Sequence, residues 1–118
     1  MNQQQLKKIA YARSGDKGSS CNIGVIAFTK SGYEFLEKEL TSKKVNSFFS
    51  KFPVSKTTRY ELPNLLAFNF VLEGILDGGG SRSLRIDSQG KALGQAILEM
   101  EILIPEELVT EANLINKP

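Results

Sequence analysis

Histidine and tryptophan are absent from these 118 residues, and cysteine occurs once, at position 21. Without histidine, a single chain cannot assemble a Ser-His or Cys-His nucleophile pair or a His-ligated zinc site. Any acid–base chemistry would fall to Asp, Glu, Lys, Tyr or Cys. The lone Cys21 allows neither an intrachain disulfide nor a cysteine-based metal cluster, which suits a reducing compartment. No apolar run approaches the roughly 18 residues of a membrane span, and the opening MNQQQLKK lacks the apolar core of a secretion signal. A cytoplasmic protein is expected. Charge of one sign is also missing: 15 Lys and Arg against 13 acids leave +2, too little to argue for nucleic acid.

What is present is the composition of one globular domain, 41% hydrophobic and 24% charged. We expect a single domain over 1–118, with its core at about 7–105 and an acidic, loosely packed C-terminal tail at 106–118. Charge is unevenly divided along the chain. Residues 1–59 carry eleven Lys and Arg against four acids, and residues 60–118 carry four against nine.

Local patterns predict the elements. KKIAYAR (7–13) reads as a first strand with Ile9 and Tyr11 on one face, leading into a glycine-rich loop. NIGVIAF (22–28) is apolar on both faces and reads as a buried central strand. From Ser31, Tyr33, Leu36 and Leu40 share a helical face. Thr41 is a candidate N-cap for a second stripe, Val45, Phe48, Phe49 and Phe52, which Pro53 ends. TTRYEL (57–62) is strand-like. NLLAFNFVLEGIL (64–76) after Pro63 reads as a helix, apolar nearly all round, whose back face would seek cover from this chain or a second subunit. DGGG (77–80), a short strand SLRID (83–87), a helix over 88–98 and a strand with Met100, Ile102 and Ile104 inward complete the chain. The order implies an α+β fold, a ferredoxin-like βαββαβ plait with an extra N-terminal strand and an extra apolar helix.

Two glycine loops carry cations. In SGDKG, Gly15 and Gly18 stand too close together, with Lys17 between them, for a nucleotide-binding P-loop. The loop can still offer an oxyanion Ser14, Lys17 and the N–H groups of Gly15 and Gly18, with Asp16 orienting the lysine or capping the turn. GGGSRSLRID adds Arg82 and Arg85 beside Gly79 and Gly80, and arginine suits bidentate contact with carboxylate or phosphate. The competing reading makes both loops plain turns. Asn69, an amide inside an apolar run, needs a hydrogen-bond partner or faces a site. Cys21, ahead of a buried strand, reads as an inert core residue.

Taken together and in order, ARSGDKG, NIGVIA, RYELPNLLAFNFVLEGIL, DGGGSRSLRIDSQGKALG and MEILIP resemble the C-terminal ferredoxin-fold domain of the AtuA-like (acyclic terpene utilisation) family, over about Ile9 to Pro105. The resemblance implies a stand-alone AtuA-related protein, a context in acyclic terpene and branched acyl-CoA catabolism, and a large AtuA-like domain encoded separately as partner. Where the family pattern carries an acid after SGDKG this chain has Ser19, which argues against a metal or acid–base role at that position. No metal and no cofactor are expected. The leading expectation is an accessory subunit binding an anionic, acyl-CoA-type ligand through Ser14, Gly15, Lys17, Gly18, Gly79, Gly80, Arg82 and Arg85. The alternatives are a small acid–base enzyme using Asp16, Lys17 and Asp87, and an oligomerisation module acting through residues 64–76. RNA binding ranks last, because the aromatic strand motif of RNA-binding plaits is missing, and no membrane role is expected.

Overall fold

The computed structural model describes residues 2–17, 20–52, 54–74 and 93–115. Six strands and four helices alternate along the described chain: β1 (Asn2–Gln5), a 3-10 turn (Leu6–Lys8), β2 (Ala10–Lys17), β3 (Ser20–Ala27), α1 (Lys30–Glu39), α2 (Ser42–Phe48) and β4 (Lys56–Leu62). A second 3-10 turn (Pro63–Leu65), β5 (Ala67–Glu73), a helix described over 93–97 (α3), β6 (Glu101–Ile104) and α4 (Glu106–Ile115) follow. Four strands form one antiparallel sheet in the order β2-β3-β5-β4, while β1 and β6 pair as a separate two-stranded ladder. β3 and β4 run parallel, joined by the α1–α2 crossover, with antiparallel β5 inserted between them. That is the split βαβ at the heart of a ferredoxin-like fold, and the α+β expectation holds.

The helical expectation over 64–76 is corrected. Pro63–Leu65 make a single 3-10 turn, Leu66 enters the left-handed region at φ 55°, and Ala67–Glu73 form a strand flanked by β3 and β4. Phe68, Phe70 and Leu72 are fully buried on one face, and Asn69 and Val71 are half-buried on the other. A central strand flanked by neighbours on both edges can carry as unbroken an apolar run as a buried helix, so the two cannot be separated by hydrophobicity alone. The short length and the aromatic and β-branched content favoured the strand. With it goes the premise that a helix back face at 64–76 would need a second subunit.

Other differences are smaller. β1, built from NQQQ, carries no apolar alternation to announce it. It forms because β6 supplies a ladder about a hundred residues away in sequence, from Asn2↔Ile104 to Gln5↔Glu101. The 3-10 turn at 6–8 puts Ile9 in the core, and Tyr11 emerges on the opposite side, 43% exposed. The SGDK stretch continues β2 instead of forming a loop. The C-terminal tail is a ten-residue helix that buries Val109 and Ala112. Expectations for residues 75–92 lie outside the described residues.

Among the described residues, all helical cover lies on one face of the four-stranded sheet. Cys21, Ile23, Val25 and Ala27 of β3 and Phe68, Phe70 and Leu72 of β5 point into it. Tyr33 of α1 stacks on Phe68, with ring centroids 4.6 Å apart. Thr29 caps α1, its hydroxyl accepting from Gly32 N–H at 2.9 Å, and Thr41 caps α2 in the same way from Lys44 N–H. The other end of α1 is held from β4. Arg59 donates to the Glu37 and Leu40 carbonyls at 2.9 Å each and pairs with Glu61 at 2.7 Å, and its guanidinium lies over the Phe68 ring. A cation on unpaired carbonyls at a helix C-terminus satisfies them and opposes the dipole favourably.

Candidate functional site

The β2–β3 hairpin carries the first of the predicted cationic stretches. Its register runs unbroken from Ala10↔Ala27 to Lys17↔Ser20, setting Gly15 opposite Asn22 and Asp16 opposite Cys21. Alternation along β2 sends Ser14 to the helix-covered face and Gly15 to the open one. The Ser14 hydroxyl accepts a hydrogen bond from Gly94 N–H of α3 at 2.8 Å, across 80 residues of sequence. A Cβ on Gly94 would lie 3.0 Å from Ser14 Oγ, 3.1 Å from Arg13 C and 3.1 Å from Ser14 N, so only glycine lets α3 seat this closely on β2. Ser14 is therefore also a packing residue, which sequence spacing did not reveal. A Cβ on Gly15 would meet nothing within 4 Å, so that glycine is not required by packing.

Of the other predicted residues, Asp16 and Lys17 are placed by their backbone at the end of β2. Gly18, Gly79, Gly80, Arg82, Arg85 and Asp87 lie outside the described residues. Described residues stand on either side of the last five. Gly74 follows β5, whose Leu72 pairs with Cys21, itself the partner of Asp16. At the far end, Gly94 is bonded to Ser14. Cys21 is fully buried, as an inert core thiol would be. Among the described residues no group of three or more Cys, Asp or Glu is placed to hold a metal ion.

The open face of the sheet, which no described helix covers, holds polar residues that the helical reading of 64–76 concealed. Register across the four strands aligns Arg13, Gly24, Asn69 and Tyr60 in one row, and Gly15, Asn22, Val71 and Thr58 in the next. Asn69 thus answers the question its sequence position raised: it faces out beside Gly24, at the middle of the open face. Period-two alternation through AFNFVLE was the signal that could have found it. The row offers a guanidinium, an amide and a phenol around a glycine gap, which suits binding better than proton transfer.

On the covered side, the Tyr33 hydroxyl is buried without a hydrogen-bond partner among the described residues. Burial pushes its pKa above the usual 10.0, nearby Glu61 and Glu37 add to the rise, and Arg59 opposes it.

A model of the AtuA ferredoxin-like domain family matches residues 4–103. No curated protein and no solved structure matches the chain.

Proposed function

The chain belongs to the AtuA ferredoxin-like domain family, and from that membership we propose that it is an accessory subunit that binds an anionic, acyl-CoA-type ligand beside a separately supplied AtuA-like large domain. Lys17, Arg82 and Arg85 hold the anion in this reading, with N–H donors from Gly15, Gly18, Gly79 and Gly80. The observation that supports it is the pair of described positions on either side of residues 75–92. Gly74 follows the strand whose Leu72 pairs with Cys21, the partner of Asp16, and Gly94 bonds Ser14, three residues before Lys17. A ligand that supplies charge and its own reactive thioester asks the protein for cations and N–H donors, and a histidine-free chain can provide both.

Calorimetric titration with CoA and a branched acyl-CoA, on the protein alone and mixed with the large domain, tests the proposal. Each arginine–phosphate contact contributes about 1.5–3 kcal/mol, so Arg82→Gln and Arg85→Gln should each weaken binding by roughly 10- to 100-fold. Absence of heat in both preparations removes the ligand, and unchanged affinity in both variants removes the arginines.

A further inference from the structure

A cavity of about 510 Å³ opens between β6 and the α1–α2 turn, and its walls include Lys44, Phe48, Met100, Glu101, Ile102 and Leu103, with Gln3 of β1 at one side. It shares no named residue with the hairpin site and stands independently of the function proposed above.

One wall is the edge of a strand. β6 pairs with β1 on one side, and among the described residues no strand pairs with its other side. Backbone groups alternate in direction along an antiparallel strand. The Met100 carbonyl accepts from Leu6 N–H at 2.8 Å, so the groups of Ile102 and Ile104 turn toward β1, and those of Glu101 and Leu103 turn away from it. Two N–H and two C=O groups of cavity-lining residues thereby point away from β1, a row that an extended chain can pair with.

Size and chemistry narrow the occupant. An extended residue fills about 3.3 × 4.8 × 10 Å, roughly 160 Å³, so the cavity holds about three residues of strand. The Glu101 and Leu103 side chains lie on one face of β6, and residues of a guest strand opposite them are two apart. Leu103 is 55% exposed and calls for an apolar partner. Glu101 forms no ion pair among the described residues, whereas Glu39 is taken by Lys44 at 3.3 Å, so a cation fits opposite Glu101. The guest residue between them faces the other way, toward Met100, Ile102 and Phe48, and is apolar. Phe48, 40% exposed, is left for it to cover.

We propose that β6 is a docking edge for an extended segment of a partner polypeptide that reads apolar–apolar–basic over three consecutive residues. The probe is the peptide Ac-Ser-Val-Leu-Lys-Ser-NH2, titrated into the full ¹⁵N-labelled chain. Saturable shifts centred on the Glu101 and Leu103 amides, with slowed exchange of both, are expected. Methylating the Val and Lys nitrogens of the peptide removes two ladder bonds and should weaken binding by about tenfold or more. Glu101→Lys, an exposed substitution, should weaken the Lys peptide about fivefold and favour a Glu-containing counterpart. Several results would overturn the proposal: no saturable shift at millimolar peptide, equal binding of the methylated peptide, or shifts that map elsewhere. Glu101 and Leu103 amides already protected in the free protein would show the edge to be filled from within the chain. Concentration-dependent broadening of these amides without peptide would assign the edge to a second copy instead.

Discussion

Replacing Gly94 by alanine sets two magnitudes of opposite sign against each other. In an ordinary helix interior alanine is about 1 kcal/mol better than glycine, because it loses less backbone entropy on folding. Gly94 is helical and is not among the positive-φ residues, so nothing in its own backbone forbids the change. Its surroundings do. The added Cβ would approach Arg13 C and Ser14 N to 3.1 Å, and both are backbone atoms of a strand held in register by β3. Those atoms cannot yield as the end of a flexible side chain can. Overpacking of this kind costs about 1–3 kcal/mol, and retreat of α3 would also strain the Gly94 N–H to Ser14 bond, a further loss of about 1 kcal/mol. We expect a net destabilisation of about 1–3 kcal/mol, a fall in melting temperature of roughly 4–12 °C for a domain of this size. Urea unfolding gives the free energy directly. The companion variant Ser14→Ala removes one of the three close contacts but leaves both backbone ones, so the double variant should recover only part of the loss. A Gly94→Ala protein as stable as the parent, or more so, would refute the close seating of α3 on β2. With it would go the anchoring on which the ligand-binding proposal depends.

Arg59→Ala should cost about 1.5–3 kcal/mol by chemical denaturation, since it strips two α1 carbonyls of their partner and leaves Glu61 without its cation. Lysine at 59 should restore little of this, lacking the fork by which Nη1 serves both carbonyls while Nη2 pairs with Glu61. Tyr33 governs an alkaline limb. Its folded pKa lies above its unfolded value near 10, so the neutral form that folding prefers is fully populated below that pH. Stability therefore falls as pH rises from about 10 through the raised folded value. Tyr33→Phe removes a buried, unpartnered hydroxyl and should match or exceed parent stability at pH 8 while shedding its part of the alkaline loss, as unfolding midpoints between pH 8 and 11 would show.

Elements whose reasons are local were readable in the residues. NIGVIAF announced a buried strand by its apolar, β-branched run, and β3 covers Ser20–Ala27. Thr41 announced the start of α2 because a hydroxyl ahead of a helical stripe can accept an orphan N–H, and it does so. Glu101–Ile104 was legible from strict alternation, with Ile102 and Ile104 buried. The long shared motifs also led to the family.

Nonlocal pairing decided the rest. Whether AFNFVLE is helix or strand depends on β3 and β4 standing ready on either side of it, which no window of sequence contains. NQQQ is a strand only because β6 comes to lie beside it. With β2 paired along the outer edge of β3, the last strand is left to that ladder, and its other edge is left unpaired among the described residues. The site follows the same division. The sequence by itself determined which residues can contact an anion, since charge and glycine content are properties of residues. Layer packing decided that Ser14 is also a partner of α3 and that Asn69 faces outward from the sheet. Contacts across 80 residues are fixed by how layers pack, and packing is a property of the whole chain.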